Sequence, residues 1–142
     1  LRELKVEETF ALNGVKLHEG YFDNMGGNAQ PLGDISKWIK EDFGSYERWF
    51  EEFKALGIAA RGWVVLALDI EDGKLHNFVC DTHNQGGVWG SIPLLILDVF
   101  EHAYFIDYGT SRKSYIESFM KTLNWNHVND IIKKYKLSAF KK

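Results

Sequence analysis

The chain has 142 residues, 45% of them hydrophobic, which predicts one folded domain with a sizeable core rather than a disordered segment. Its formal net charge is −3, so the composition favours neither nucleic acid nor an anionic membrane as a partner. Cys80 is the single cysteine, which excludes an internal disulfide and a cysteine-rich zinc site. We therefore expect a cytoplasmic protein without a membrane-spanning segment.

The first predicted element is a helix over residues 3–24. Side chains at every fourth position of an α-helix share one face. The set with this spacing is Val6, Phe10, Gly14, His18 and Phe22. Gly26 and Gly27 are expected to end the helix.

Two shorter helices are predicted next. Asp34 is expected to cap a helix over residues 35–43, and Ser45 is expected to cap the following one. Apolar side chains recur with helical spacing after Ser45, and Gly57 is expected to end this second helix.

The middle of the chain has the pattern of a small sheet. Three apolar runs separated by turn residues and a glycine-rich loop predict strands over residues 62–70, 75–80 and 92–98. The remainder is mostly helical, with predicted helices over residues 101–107, 112–122 and 125–136. Ser111 and Asn124 are expected to cap the last two. Strands flanked by runs of helix indicate an α+β fold with an antiparallel sheet.

Asp98 and His102 follow the third predicted strand at a spacing of four residues. An oxygen ligand and a nitrogen ligand that leave one strand end can converge on a metal ion, and His18 is a candidate third ligand. Taken alone, Asp98 is as well explained as a cap of the following turn. A non-haem iron oxygenase site uses the same ligand types, but usually on a β-barrel, with one His close in sequence to the carboxylate. His76 and His127 match no pattern and are expected to be surface residues.

The run Asp98-Val-Phe-Glu-His-Ala-Tyr-Phe resembles the signature Asp-x-Trp-Glu-His-Ala-Tyr-Tyr of the iron/manganese superoxide dismutase family, from which Phe100 and Phe105 depart. The resemblance extends to Gly62-Trp63 and to the run Leu-Asn-Trp-Asn that ends at Asn126. It implies that residues 1–28 correspond to the second helix of the family's N-terminal helical hairpin. Residues 29–142 would then form its C-terminal α+β domain.

This resemblance implies one iron or manganese ion per subunit, held by His18, Asp98 and His102. The family takes a further His from its first helix, which has no counterpart in the chain, so we expect that ligand in a segment before Leu1. The implied reaction is the disproportionation of superoxide to oxygen and hydrogen peroxide, with the metal cycling between +3 and +2. A chain limited to these residues is expected to have little activity, and the alternative is a non-catalytic, dismutase-like interaction module.

The resemblance also implies a side chain that donates a hydrogen bond to the solvent molecule on the metal. Iron-type members often place a Gln at the position of Gly14, whereas manganese-type members tend to have Gly there and to supply the donor from the loop before the third strand. His83 and Gln85 are the candidates in that loop, and His83 is preferred from its spacing to Asp98.

Two further expectations come from the same resemblance. An apolar wall around the site is assigned to Phe22, Trp63 and Phe100. Glu101 is expected near the two-fold axis of a homodimer, because the family's Glu at this position reaches a ligand His of the partner subunit.

Overall fold

The computed structural model describes all 142 residues, which form six α-helices and three strands. In chain order the elements are α1 (Arg2–Asp23), α2 (Gly33–Phe43), α3 (Tyr46–Ala59), β1 (Trp63–Asp69), β2 (Lys74–Cys80), β3 (Ser91–Asp98), α4 (Phe105–Tyr108), α5 (Arg112–Met120) and α6 (Trp125–Lys134). Two short 3₁₀ turns, Glu101–Ala103 and Leu137–Ala139, complete the chain. The predicted α+β fold with a three-stranded antiparallel sheet is confirmed.

The sheet has the order β2–β1–β3, and both neighbours run antiparallel to β1. The central strand is buried along nearly its whole length, because helices cover the sheet and its side chains are apolar on both faces. In the β1–β3 register Trp63 lies directly opposite Asp98. The pairing therefore brings the aromatic start of β1 to the point where β3 ends.

The helix α1 packs against β3. Gly20 allows the close approach, because a Cβ atom at this position would overlap the side chain of Ile96. Just beyond the helix, the amide of Asn24 is buried, accepts a hydrogen bond from the N–H of Ile96 at 2.8 Å and donates to the carbonyl of Leu94 at 3.2 Å. These contacts set the position of α1 along the strand that ends at Asp98.

Of the four predicted caps, Ser45 and Asn124 are confirmed, and Ser111 and Asp34 are wrong. The Ser45 hydroxyl accepts from the N–H of Arg48, and the Asn124 side chain accepts from the N–H of His127. Ser111 makes no capping bond, and its hydroxyl donates to the hydroxyl of Ser114.

The starts and ends of α2 and α3 also differ from the predictions. Asp34 does not cap α2, which begins at Gly33, and the side chain of Asn129 in α6 accepts the N–H of Ile35 instead. Gly57 does not end α3, which continues to Ala59. Gly57 is buried inside that helix, where a Cβ atom would come within 2.9 Å of Ile116 in α5. Both differences arise from packing against a helix that is distant in sequence.

None of the helices combines the length and the apolar character needed to cross a membrane.

Gly27 provides a test of how the end of α1 is held. A Cβ atom there would lie 2.6 Å from the Cα of Asn124 and would overlap the carbonyl of Leu123, so main-chain atoms would have to move. We expect Gly27→Ala to lower the free energy of unfolding by about 1–3 kcal/mol, the usual cost of overpacking. Gly87→Ala is the matched control, because a Cβ atom there meets no atom within 4 Å. Urea denaturation measures both, and equal stability of the two variants would contradict the expected clash.

Candidate metal centre

Three side chains from separate elements converge at the carboxyl end of β3. His18 comes from α1, Asp98 ends β3, and His102 lies in the 3₁₀ turn that follows. Asp98 Oδ2 is 2.8 Å from His102 Nε2 and 3.4 Å from His18 Nε2. One ligand atom from each residue lies within 4.8 Å of the other two. The structure thus brings together the three residues that the sequence singled out as ligands.

The Asp98 carboxylate is buried, with 1% of the residue exposed. Its Oδ1 atom accepts the N–H of Phe100 at 3.0 Å, which leaves Oδ2 for the two imidazoles. Its main-chain carbonyl accepts the hydroxyl of Tyr115 at 2.6 Å. Asp98 therefore makes the turn-capping contact that was its alternative explanation, and the remaining carboxylate oxygen is still free to act as a ligand. Tyr115 was not singled out from the sequence as part of this site.

The ring orientation of His18 follows from one hydrogen bond. Its Nδ1 atom is 2.7 Å from the carbonyl of Gly14, and a carbonyl can only accept, so Nδ1 carries the proton. In the neutral ring Nε2 then carries no proton, and this acceptor nitrogen lies 3.4 Å from Asp98 Oδ2. Two acceptors that face each other at 3.4 Å repel unless a cation lies between them. The arrangement suits a metal ion, which needs a neutral imidazole nitrogen and an ionised carboxylate.

The separations also fit an ion. Ligand atoms that are each about 2.0–2.2 Å from one metal lie roughly 3–4 Å apart. The observed pairs reach from 2.8 to at most 4.8 Å. The His102 side chain is 56% exposed and that of His18 is 34% exposed, so the site is open on one side. Two nitrogens and one carboxylate oxygen are donors that iron and manganese accept.

His83 lies beside the three ligands, in the space next to Gly14. A Cβ atom at Gly14 would be 3.2 Å from the His83 ring, so any side chain larger than Gly would press against it. The indole N–H of Trp63 donates to His83 Nδ1 at 3.0 Å, and because an indole has no acceptor, the proton of neutral His83 is on Nε2. Burial, and then the neighbouring His18, lower the pKa of His83 below its usual 6.5. The ring is therefore a neutral N–H donor at neutral pH.

Gln85 lies away from this position. It is exposed, forms a bridge with Thr82 through its main chain, and has no side-chain hydrogen bond. Of the two loop candidates, the structure brings only His83 against the ligands.

Aromatic rings surround the imidazoles. Trp63 meets the His18 ring edge-on, with the centroids 4.8 Å apart. Phe100 stacks on His102 at 5.4 Å. Both were predicted for the apolar wall, and both lie where such a wall would exclude water from the ligand atoms.

The α1 contribution to the wall differs from the expectation. Phe22 is 62% exposed, and its ring contacts Tyr21 rather than an imidazole. Phe10 instead packs on His83, with the ring centroids 4.4 Å apart. Positions four apart rotate by about 40° at each step around an α-helix, so the series that contains Phe10 has turned away from the site by Phe22.

A second group of possible metal-ligating side chains, with one histidine and two aspartates, occurs at the β1–β2 hairpin. His76, expected only to be a surface residue, has its Nε2 atom 2.7 Å from Asp72 Oδ2, and Asp69 lies close to both. Asp72 Oδ1 accepts the N–H of Lys74, so the cluster supports the turn. His127, the other histidine without a pattern, is half-buried in the first turn of α6.

A family model described as iron/manganese superoxide dismutases, C-terminal domain, matches residues 31–131. The matched region contains Asp98 and His102 but not His18, which lies in α1. The two C-terminal ligand candidates thus fall within a recognised domain, and the third comes from the segment before it.

Relatives with curated names match more of the chain. The superoxide dismutase [Fe] of Aquifex aeolicus is 46% identical over 135 residues, which cover 94% of this chain and 63% of that protein. The superoxide dismutase [Mn] 2 of Haloferax volcanii is 43% identical over 116 residues, 80% of this chain and 58% of that protein. The superoxide dismutase [Mn] of Haloarcula hispanica is 45% identical over 107 residues, 74% of each. The chain spans less than two thirds of the first two relatives.

The group at the end of β3 and the group at the hairpin allow a paired test of metal binding, because each contains a histidine that can be replaced. We expect His18→Ala to weaken Mn²⁺ binding by more than the roughly 10–100-fold typical of losing a partner outside the ligand set. His76→Ala should bind as the parent does, because the hairpin offers a single imidazole and its Asp72 carboxylate is exposed to water, whereas Asp98 is buried between two imidazoles. Chelator competition gives the affinities and elemental analysis the stoichiometry. A larger loss of Mn²⁺ affinity in His76→Ala than in His18→Ala would indicate that the metal binds at the hairpin instead.

Proposed function

The chain belongs to the iron/manganese superoxide dismutase family, and on that premise we propose that His18, Asp98 and His102 hold one iron or manganese ion in a superoxide dismutase. The observation that supports this most strongly is the convergence of two imidazole nitrogens on one oxygen of a buried carboxylate. In the proposed reaction of the whole protein, one superoxide is oxidised to oxygen, and a second gains one electron and two protons to become hydrogen peroxide.

The ion, when bound, supplies the one-electron redox chemistry, and the side chains supply its position and its surroundings. Asp98 contributes a negative charge that partly neutralises the cation. Its carboxylate is also shielded from water. His18 and His102 complete the donor set as neutral nitrogens. The ligand types and the exclusion of water together tune the redox potential.

His83 is the group we propose for proton handling and orientation. Its Nε2 atom carries the proton and lies beside Gly14, on the side that faces α1, because Trp63 occupies Nδ1. A neutral N–H donor can orient an anionic oxygen species or a water molecule without adding charge to the site. Phe10 and Phe100 shield the ring from bulk water.

We further propose that the protein is a homodimer with Glu101 near the two-fold axis. Glu101 is exposed next to His102 and has no hydrogen bond or ion pair from its side chain within the chain. Phe105 and Ile106 beside it are 59% and 93% exposed, an apolar surface that a second subunit would cover. Cys80 is buried and unpaired, which fits the reducing cytoplasm as the proposed location.

Superoxide decay per bound ion, in the whole protein loaded with Fe or with Mn, tests the catalytic proposal. We expect turnover in the parent and about 10–100-fold slower turnover in His83→Ala, at unchanged metal content, because His83 contacts the ligands without belonging to them. Gln85→Ala is the matched control and should turn over as the parent does. A metal-loaded parent without turnover would favour the non-catalytic, dismutase-like alternative.

The dimer proposal has its own test. Glu101→Ala is expected to weaken the dimer and to lower metal retention together, since a side chain that reaches the partner's site would affect both. Light scattering at micromolar concentration gives the mass, and dialysis against a chelator gives the retention. Glu117→Ala, on the exposed face of α5, is the control. A monomeric parent would count against the proposal.

A further inference from the structure

A chain of two phenol hydroxyls leads to the main chain of Asp98. The hydroxyl oxygens of Tyr21 and Tyr115 are 2.7 Å apart, and the Tyr115 oxygen is 2.6 Å from the carbonyl oxygen of Asp98. Both tyrosines are buried, with 6% and 5% of their surfaces exposed. The two buried hydroxyls join residues that are 94 positions apart in sequence. The function proposed above assigns them no role.

The direction of the hydrogen bonds is determined by chemistry. A carbonyl oxygen can only accept, so the single proton of the Tyr115 hydroxyl goes to Asp98. The Tyr115 oxygen must then accept the proton of Tyr21. Burial raises the pKa of both hydroxyls, and the nearby Asp98 charge acts in the same direction. Both side chains are therefore neutral at neutral pH, and the donor–acceptor order follows from the carbonyl of Asp98 at one end.

The two hydroxyls join the elements that carry two of the proposed ligands. Tyr21 lies in α1, three residues after His18, and Tyr115 lies in α5 beneath the end of β3. A neutral hydrogen bond inside a protein is short and directional, so the chain limits how far α1 can move from the Asp98 main chain. This connection exists with or without a metal ion.

We propose that Tyr21 and Tyr115 are positioning residues, which hold His18 and Asp98 at the separation that the metal requires before the metal arrives. The inference rests on the metal centre proposed above. A site that is already assembled loses less conformational freedom when the ion binds, and its affinity is correspondingly higher. Without the two hydroxyls, the ion would have to draw α1 and the end of β3 together itself.

Tyr→Phe variants separate this role from ordinary packing. The rings remain, so Tyr115 can still stack on Tyr104 at 5.1 Å and Tyr21 on Phe119 at 5.7 Å. Tyr104→Phe is the matched control, because Tyr104 is equally buried and its hydroxyl accepts from Arg112, with no contact to a proposed ligand. All three variants lose one buried hydroxyl, and only two of them lose it from the chain that reaches Asp98.

The experiment titrates Co²⁺ into the metal-free protein with a competing chelator and records the visible spectrum of the bound ion. We expect Tyr115→Phe to bind Co²⁺ about 10–100-fold more weakly and with altered absorption bands. Tyr21→Phe should show a smaller loss, because the Tyr115 bond to Asp98 survives. Tyr21→Phe should add little in the Tyr115→Phe background, where the connection is already broken. Tyr104→Phe should match the parent in affinity and spectrum. Thermal unfolding of the metal-free proteins is expected to show a similar loss of stability in Tyr115→Phe, Tyr21→Phe and Tyr104→Phe.

The outcomes distinguish this inference from the proposed function. A parent that binds no Co²⁺ would overturn the metal centre and this inference with it. A parent that binds Co²⁺ while Tyr115→Phe and Tyr21→Phe bind equally well, with the same spectrum, would overturn the inference alone. If Tyr115→Phe does not fold, the comparison of Tyr21→Phe with Tyr104→Phe decides, and equal affinities there would also overturn it.

Discussion

The buried carboxylate of Asp98 is the constraint on which the rest of the structure depends. An ionised carboxylate removed from water is costly unless hydrogen bonds and a positive charge compensate it. One of its oxygens accepts a main-chain N–H, and the other lies 2.8 and 3.4 Å from two imidazole nitrogens, where an imidazole N–H or a metal ion can compensate the charge. The β1–β3 pairing, the packing of α1 and the hydroxyl of Tyr115 all act to hold this group in place. A metal ion at the proposed site would thus compensate a charge that the fold has placed away from water.

Features encoded in short stretches of sequence could be predicted. The alternation of apolar runs and turn residues located all three strands to within a residue or two, and the spacing of Asp98 and His102 after β3 indicated a ligand pair. His18 was a candidate from its register on a long helix, and the resemblance to the family implied its role as a ligand and the role of His83 beside the metal. The strand predictions are confirmed because strand patterns are local in sequence, whereas the metal-binding roles of His18, Asp98, His102 and His83 remain predictions.

Features that depend on distant contacts could not be predicted in this way. Asp34 has the composition of a cap, but Asn129, 94 residues away from Ile35, takes that role. Gly57 has the composition of a helix end, yet it serves close packing within α3. Tyr115 carried no sequence signal as a partner of the site, because its hydroxyl meets Tyr21 across 94 residues of chain. Single-sequence patterns describe what an element prefers, and the fold decides which neighbour satisfies it.

A metal ion at the proposed site would also affect the dynamics of the fold. Its three ligands come from α1, from the end of β3 and from the turn that follows, so a bound ion would tie α1 to the sheet. A ligand that binds only the assembled form stabilises that form by mass action. Any local opening that moves α1 away from β3 would take His18 off the ion while Asp98 and His102 stay in place. The ion would therefore slow amide hydrogen exchange selectively in α1, because closure of this helix and metal occupancy are thermodynamically linked.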